Sequence, residues 1–112
     1  MGLPNPSQEF TEEIAPLLAA KEPVVVSIFG GTPAEFAKVA EWFPEALAFE
    51  LNLSCPHAEG YGAAIGANPR VVRECTESVK TFGKPVWVKL TPNVADIGVI
   101  GRAAEEGGAD AI

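Results

Sequence analysis

Strand and helix patterns alternate along the whole chain, and this alternation constrains the fold more than any other feature. Three runs rich in β-branched and apolar residues have the length of buried strands: 23–29, 47–54 and 84–92. Amphipathic stretches separate them, and "ADAI" at the carboxyl end predicts the start of a fourth strand. Strands that alternate with helices pair in parallel through right-handed crossovers. The sequence therefore predicts an α/β fold, either a doubly wound sheet or a β/α barrel.

Capping signals predict where the helices begin and end. Thr32, Pro33 and Glu35 have the spacing of an N-cap, a first helical position and a capping box. Asn68 followed by Pro69 predicts the start of a later helix in the same way.

The first and last helices have weaker boundary signals. The first is predicted over 8–20, with Pro16 expected to kink or shorten it. Its predicted apolar stripe is Phe10, Ile14, Leu17 and Leu18. Asn93 is predicted to cap the last helix, and Gly107 and Gly108 are predicted to end it.

The two faces of each strand favour the barrel over the doubly wound sheet. The second strand has an apolar face formed by Phe49, Leu51 and Leu53 and a polar face formed by Glu50, Asn52 and Ser54. The third strand divides similarly, with Val86, Val88 and Leu90 opposite Trp87, Lys89 and Thr91. A doubly wound sheet is covered by helices on both faces, whereas a barrel presents one face to its lumen and to ligand. We therefore expect a partial (β/α)8 TIM barrel.

Length and charge limit the classes of protein and partner. A complete barrel needs ~250 residues, so a chain of 112 residues is expected to be a piece of a larger protein or a half barrel that hides its edges in a partner. The net charge of −7 argues against nucleic acid as a ligand. Neither a membrane span nor a signal peptide is evident, so a cytoplasmic location without membrane contact is expected. Both cysteines are then expected to be free thiols.

Several polar side chains lie at the predicted carboxyl ends of the strands, where barrel enzymes assemble their sites. Cys55 follows the second strand and precedes Pro56 and glycines at 60, 62 and 66, which would let the next stretch close over a ligand. The alternative is an idle thiol. Lys89 is either a fixed cation beside a group that gains negative charge or the ion-pair partner of Glu50. No metal site is expected, because Cys75 lies on an apolar helix stripe and too few ligands remain.

The motifs "ELNLSCPH", "YGAAIG", "VKLTPNVADI" and "AAEEGGADAI" together resemble those of the flavin-dependent class 1 dihydroorotate dehydrogenases. They are equally similar to the pyrimidine-reducing domain of dihydropyrimidine dehydrogenase. The amino-terminal "MGLPN" is similar to the end of the family's substrate loop. The family folds as a β/α barrel around FMN. The resemblance implies that residues 1–112 are a fragment of one FMN-binding TIM-barrel domain, about strands three to six of eight.

The resemblance also implies roles for individual residues. Cys55 would be the general base that removes a proton from C5 of dihydroorotate while hydride leaves C6 for the flavin. Thiols ionise close enough to neutral pH to move a proton in either direction. Asn52 would bind both the pyrimidine and the flavin edge. Lys89 would set its charge against the N1/O2 side of the flavin, and Ser27 would contact the cofactor.

The substrate and partners follow from the same resemblance. Gly2 and Leu3 would donate backbone N–H groups to the orotate carboxylate, and His57 would hold the pyrimidine unless it is a solvated loop histidine. The expected function is oxidation of dihydroorotate to orotate in pyrimidine biosynthesis, with reduction of uracil or thymine as an alternative, so the expected substrate partner is a dihydropyrimidine. A homo-oligomer and an electron-transfer subunit are further expected partners, and the isolated chain is expected to be inactive. A phosphate-binding barrel enzyme and a self-associating, non-catalytic module are the alternatives.

Overall fold

Helices and strands alternate in the computed structural model, which describes residues 9–55 and 63–112. The strands are β1 (Val25–Ile28), β2 (Ala48–Leu53) and β3 (Val86–Leu90). The helices are α1 (Phe10–Ala19), α2 (Pro33–Glu41), α3 (Ala63–Gly66), α4 (Pro69–Lys80) and α5 (Ile97–Glu106). In this part of the chain, every helix is too short or too polar to cross a membrane.

The sheet is parallel and its strands follow chain order, β1-β2-β3. Phe49 of β2 stands opposite Val26 on one side and Val86 on the other. The fourth strand begins beside β3, where Trp87 and Ala111 form a parallel bridge. A mixed α/β fold whose strands add in sequence order is compatible with part of a TIM barrel.

The helices of the described residues cover one face of this sheet and leave the other uncovered. α2 packs against α4 and α4 against α5, and the apolar strand faces pack beneath them. Fully buried members of this core include Phe36, Phe49, Leu51, Leu53 and Val72. Burial of each large side chain stabilises the fold by ~1.5–3 kcal/mol. The other face, here called the open face, is formed by Ser27, Glu50, Asn52, Trp87 and Lys89.

Two helix starts confirm the predicted capping signals. The Thr32 hydroxyl accepts the Glu35 N–H at 3.2 Å, while the Glu35 carboxylate accepts the N–H of Gly31, one residue earlier than a standard capping box requires. Asn68 Oδ1 accepts the N–H groups of both Arg70 and Val71 at the start of α4. These hydrogen bonds satisfy N–H groups that the first helical turn leaves without partners.

The boundaries of α1 and α5 differ from the predicted ones. Asn93 does not cap α5; Asp96 does, because its Oδ1 accepts the N–H of Gly98 at 2.8 Å and that of Val99 at 3.3 Å. The Asn93 N–H instead donates to the Thr91 hydroxyl. α1 continues through Pro16, and Leu17 of its predicted stripe is 51% exposed.

Gly66 has a packing role that differs from the predicted flexibility. It is buried at the end of α3, and a Cβ at this position would lie 2.1 Å from the carbonyl oxygen of Leu53. Only glycine lets α3 approach the end of β2 this closely. The glycines at 60 and 62 lie outside the described residues.

Candidate functional site

The open face brings three of the predicted site residues together near the carboxyl ends of the strands. Ser27 stands opposite Glu50 in the register of β1 and β2. Asn52, two residues further along β2, stands opposite Lys89 of β3. Strand alternation places all four side chains on the same side of the sheet, away from the helices. The predicted separation into an apolar and a polar face is thus confirmed for this part of the sheet.

Glu50 connects the side chains of the open face. Its Oε1 accepts a hydrogen bond from the Ser27 hydroxyl at 2.8 Å. The same oxygen lies 3.1 Å from the Lys89 ammonium nitrogen. The ion pair between Lys89 and Glu50, one of the two interpretations of the lysine, is therefore present. Since an ammonium group has three donors, the pair also leaves Lys89 able to bind another acceptor.

Asn52 is held by the backbone turn that follows β2. Its Oδ1 accepts hydrogen bonds from the Ser54 N–H at 3.3 Å and from the Ser54 hydroxyl at 3.1 Å. Across residues 9–55 and 63–112 its Nδ2 makes no hydrogen bond, so the amide offers a donor to a ligand at this end of the sheet. The acceptor is already engaged within the turn.

The two cysteines lie in different environments, and both are free thiols, as predicted. Cys55 is partly exposed just beyond β2, and its carbonyl oxygen accepts the Ala63 N–H at 3.0 Å, which joins the strand end to α3. Cys75 is fully buried among the core side chains of α4. Burial, with a smaller effect of Glu74, raises the pKa of Cys75 to about 12. A thiol of this kind is inert, so only Cys55 has the exposure that chemistry requires.

Three predicted substrate-binding residues, Gly2, Leu3 and His57, lie outside the described residues. The described part of the site also contains groups that sequence reasoning undervalued. The sequence predicts Glu50 only as the ion-pair partner of Lys89, whereas in the structure its carboxylate also accepts a hydrogen bond from Ser27. Trp87 is 42% exposed on the open face, opposite Glu50. Strand alternation alone is a signal for both residues, since it assigns them to the same face as Asn52 and Lys89.

The donor set of the open face fits a flavin. A flavin ring is flat, and its pyrimidine edge accepts hydrogen bonds and gains negative charge on reduction. Lys89 supplies a cation and Asn52 an amide donor, on the side of the sheet that the described helices leave uncovered. These groups would bind the polar edge of the ring, and Cys55 lies beyond the same strand end.

Comparisons with known proteins place the chain in one family. The family model described as "Dihydroorotate dehydrogenase" matches residues 1–112. A protein of Methanosarcina mazei named "Dihydroorotate dehydrogenase B (NAD(+)), catalytic subunit" is 62% identical over all of this chain and 37% of its own length. Proteins with the same name from Methanocella arvoryzae and Pyrococcus horikoshii are 58% and 56% identical, each over all of this chain and 38% of their own length. The chain thus spans little more than a third of the length of these relatives.

These relatives correct one expectation about partners. A dihydropyrimidine in the broad sense, with uracil or thymine among the candidates, was expected as the substrate partner. That expectation is wrong, because the relatives are dihydroorotate dehydrogenases and their names specify dihydroorotate. The sequence signal that left the choice open was His57, a single residue that also suits uracil-reducing enzymes.

Proposed function

We propose that this chain, which belongs to the dihydroorotate dehydrogenase family, is part of an enzyme that oxidises dihydroorotate to orotate in pyrimidine biosynthesis. FMN is the proposed cofactor, and when bound it accepts the hydride that leaves C6 of the substrate. The remaining chemistry is assigned to residues of this chain, with Cys55 as the general base that takes the proton from C5.

The position of Cys55 supports its proposed role. The thiol lies directly after β2, and the hydrogen bond from Ala63 to its carbonyl oxygen fixes the backbone there. A base must stand within hydrogen-bond reach of the proton that it removes, and a residue at a strand end is positioned by the sheet rather than by a free loop. Cys55 is partly exposed at such a strand end, whereas Cys75 is buried among core side chains.

The polar side chains of the open face have complementary proposed roles. The Lys89 ammonium would stabilise negative charge that develops on the N1/O2 side of the reduced ring. The Nδ2 group of Asn52 would donate a hydrogen bond to the cofactor or substrate, while Ser54 fixes the orientation of the amide. Ser27 would contact the cofactor from the neighbouring strand.

The remaining assignments concern parts of the site outside the described residues and the extent of the domain. Backbone N–H groups of Gly2 and Leu3 are proposed to bind the carboxylate of dihydroorotate, and His57 its ring. We propose that residues 1–112 form about strands three to six of one FMN-binding TIM barrel, and that the isolated chain is inactive. A cytoplasmic location remains a prediction.

The single observation that carries this proposal is the combination of a family match over residues 1–112 with a polar open face beside Cys55. The test uses the full-length protein that contains this segment. Purified protein is assayed for bound FMN and then for conversion of dihydroorotate to orotate with a redox dye as the electron acceptor, and dihydrouracil is the comparison substrate. We expect stoichiometric FMN and turnover of dihydroorotate but not of dihydrouracil. Protein without flavin, or with equal activity on both substrates, would refute the proposal.

A further inference from the structure

Glu50 is an acidic side chain in the middle of the face that is assigned to an electron-accepting cofactor. A carboxylate at such a place opposes the gain of negative charge nearby, so its presence needs a reason. Its side chain is 28% exposed, compared with 46% for Lys89. It therefore lies deeper on the open face than the lysine that it contacts.

One oxygen of Glu50 makes both polar contacts of this group. Oε1 accepts the Ser27 hydroxyl at 2.8 Å from one neighbouring strand and lies 3.1 Å from the Lys89 nitrogen on the other. The contact with Ser27 runs straight across the sheet, whereas the contact with Lys89 is diagonal, because Lys89 is paired with Asn52 in the register. The carboxylate thus holds the ammonium group beside Glu50, two residues before its register partner Asn52. The contacts of this carboxylate connect all three strands.

We propose that Glu50 is a positioning residue for Lys89 that also balances its charge, so that the cofactor edge faces an ion pair of zero net charge and not an isolated cation. This inference rests on the proposed function, since it assumes a flavin at the open face. An isolated ammonium would favour the anionic reduced ring strongly, and its carboxylate partner reduces that effect. Glu50 therefore lowers the flavin reduction potential and keeps the reduced cofactor easy to reoxidise.

The test is the flavin midpoint potential of the full-length holoprotein with substitutions in the pair. Glu50→Gln gives the residue pair at positions 50 and 89 a net charge of +1, and Lys89→Met gives it a net charge of −1. We expect the first to shift the reduction equilibrium about ten-fold toward reduced flavin, ~30 mV upward for a two-electron couple. We expect Lys89→Met to shift the equilibrium by a similar factor in the opposite direction. The double variant has zero net charge and should lie between the two single variants.

Potential shifts of opposite sign in the two single variants would distinguish charge balance from damage to the site. A substitution that merely disrupted the site would not shift the potential up or down according to the charge that it removes. Glu41→Gln removes the same charge from an exposed position on α2, a helix of the covered face, and should leave the equilibrium within two-fold of the unaltered protein. If Glu50→Gln fails to bind flavin, Lys89→Met is compared with the double variant, in which loss of the carboxylate should again raise the potential.

The outcomes distinguish this inference from the proposed function. A potential that is unchanged or lowered on removal of the Glu50 carboxylate would overturn the inference, even if the unaltered protein oxidises dihydroorotate with bound FMN. Absence of flavin from the unaltered protein would instead refute the proposed function, on which the inference depends.

Discussion

Replacement of Gly66 by alanine tests the link between the packing of α3 and the end of β2. The added Cβ would lie 2.1 Å from the carbonyl oxygen of Leu53 and 3.1 Å from its carbonyl carbon. Non-bonded heavy atoms in contact are about 3.5 Å apart, so α3 and β2 would have to separate by more than ~1 Å. Both obstructing atoms belong to the backbone and cannot rotate away. Overpacking of this kind costs ~1–3 kcal/mol.

Gly101→Ala is a matched control for this substitution. Gly101 lies within α5, and a Cβ there would have no heavy atom of its surroundings within 4 Å. Alanine in a helix interior is more stable than glycine by ~0.5–1 kcal/mol. Gly101→Ala should therefore stabilise the protein, while Gly66→Ala destabilises it, with a difference of ~1.5–4 kcal/mol between the two variants.

The assay is urea unfolding of the full-length protein, with the free energy of unfolding obtained by linear extrapolation. Displacement of α3 should also move the strand end that leads to Cys55, because Ala63 donates to the carbonyl oxygen of that residue. Gly66→Ala is therefore expected to lower turnover of dihydroorotate, and Gly101→Ala is not. Equal stability of Gly66→Ala and the unaltered protein would refute the close approach of α3 to β2.

Two further predictions follow from shifted ionisation. The pKa of Cys75, raised by burial to about 12 against ~8.5 for a free thiol, makes the unfolded state lose its proton first as the pH rises. The stability that this thiol contributes is complete below about pH 8.5 and falls above it by at most ~1.4 kcal/mol per pH unit. In urea unfolding, the free energy of unfolding of Cys75→Ala should therefore depend less on pH than that of the unaltered protein. The same pH dependence in both proteins would contradict the burial of Cys75. The pKa of Asp110 is lowered mainly by the hydrogen bond from Lys80 and to a smaller extent by that from the Val86 N–H. The ionised carboxylate should therefore protect the Val86 amide from hydrogen exchange above about pH 4 and lose this effect as the pH falls further. Asp110→Ala should therefore accelerate hydrogen exchange of that amide several-fold at neutral pH, and unchanged exchange would show that Asp110 does not hold the fourth strand.

Much of the fold could be predicted because its signals are local. Hydroxyl and amide N-caps act within one helical turn, so Thr32 and Asn68 marked the starts of α2 and α4 correctly. The cap of α5 was misassigned because asparagine and aspartate have similar capping preferences. Only the path of the chain after β3 determines that Asp96, rather than Asn93, faces the N–H groups of α5.

The contacts of the site were harder to predict because they join different strands. Alternation along β2 and β3 placed Glu50 and Lys89 on one face, but the register between strands decides that one carboxylate oxygen also holds Ser27. The role of Gly66 depends on the distance to a backbone carbonyl 13 positions earlier in the chain, at Leu53. No periodicity in the sequence carries such information.

The central claim is that Cys55 removes the proton from C5 while the open face binds the flavin. Its most direct test is anaerobic mixing of dihydroorotate with the full-length holoprotein and with its Cys55→Ser variant. Loss of flavin absorbance measures the reductive half-reaction alone. Serine is a far weaker base, and general base catalysis contributes ~10²–10⁴-fold, so we expect flavin reduction to slow by about that factor while FMN content stays unchanged. Flavin reduction by Cys55→Ser at the rate of the unaltered protein would contradict the account.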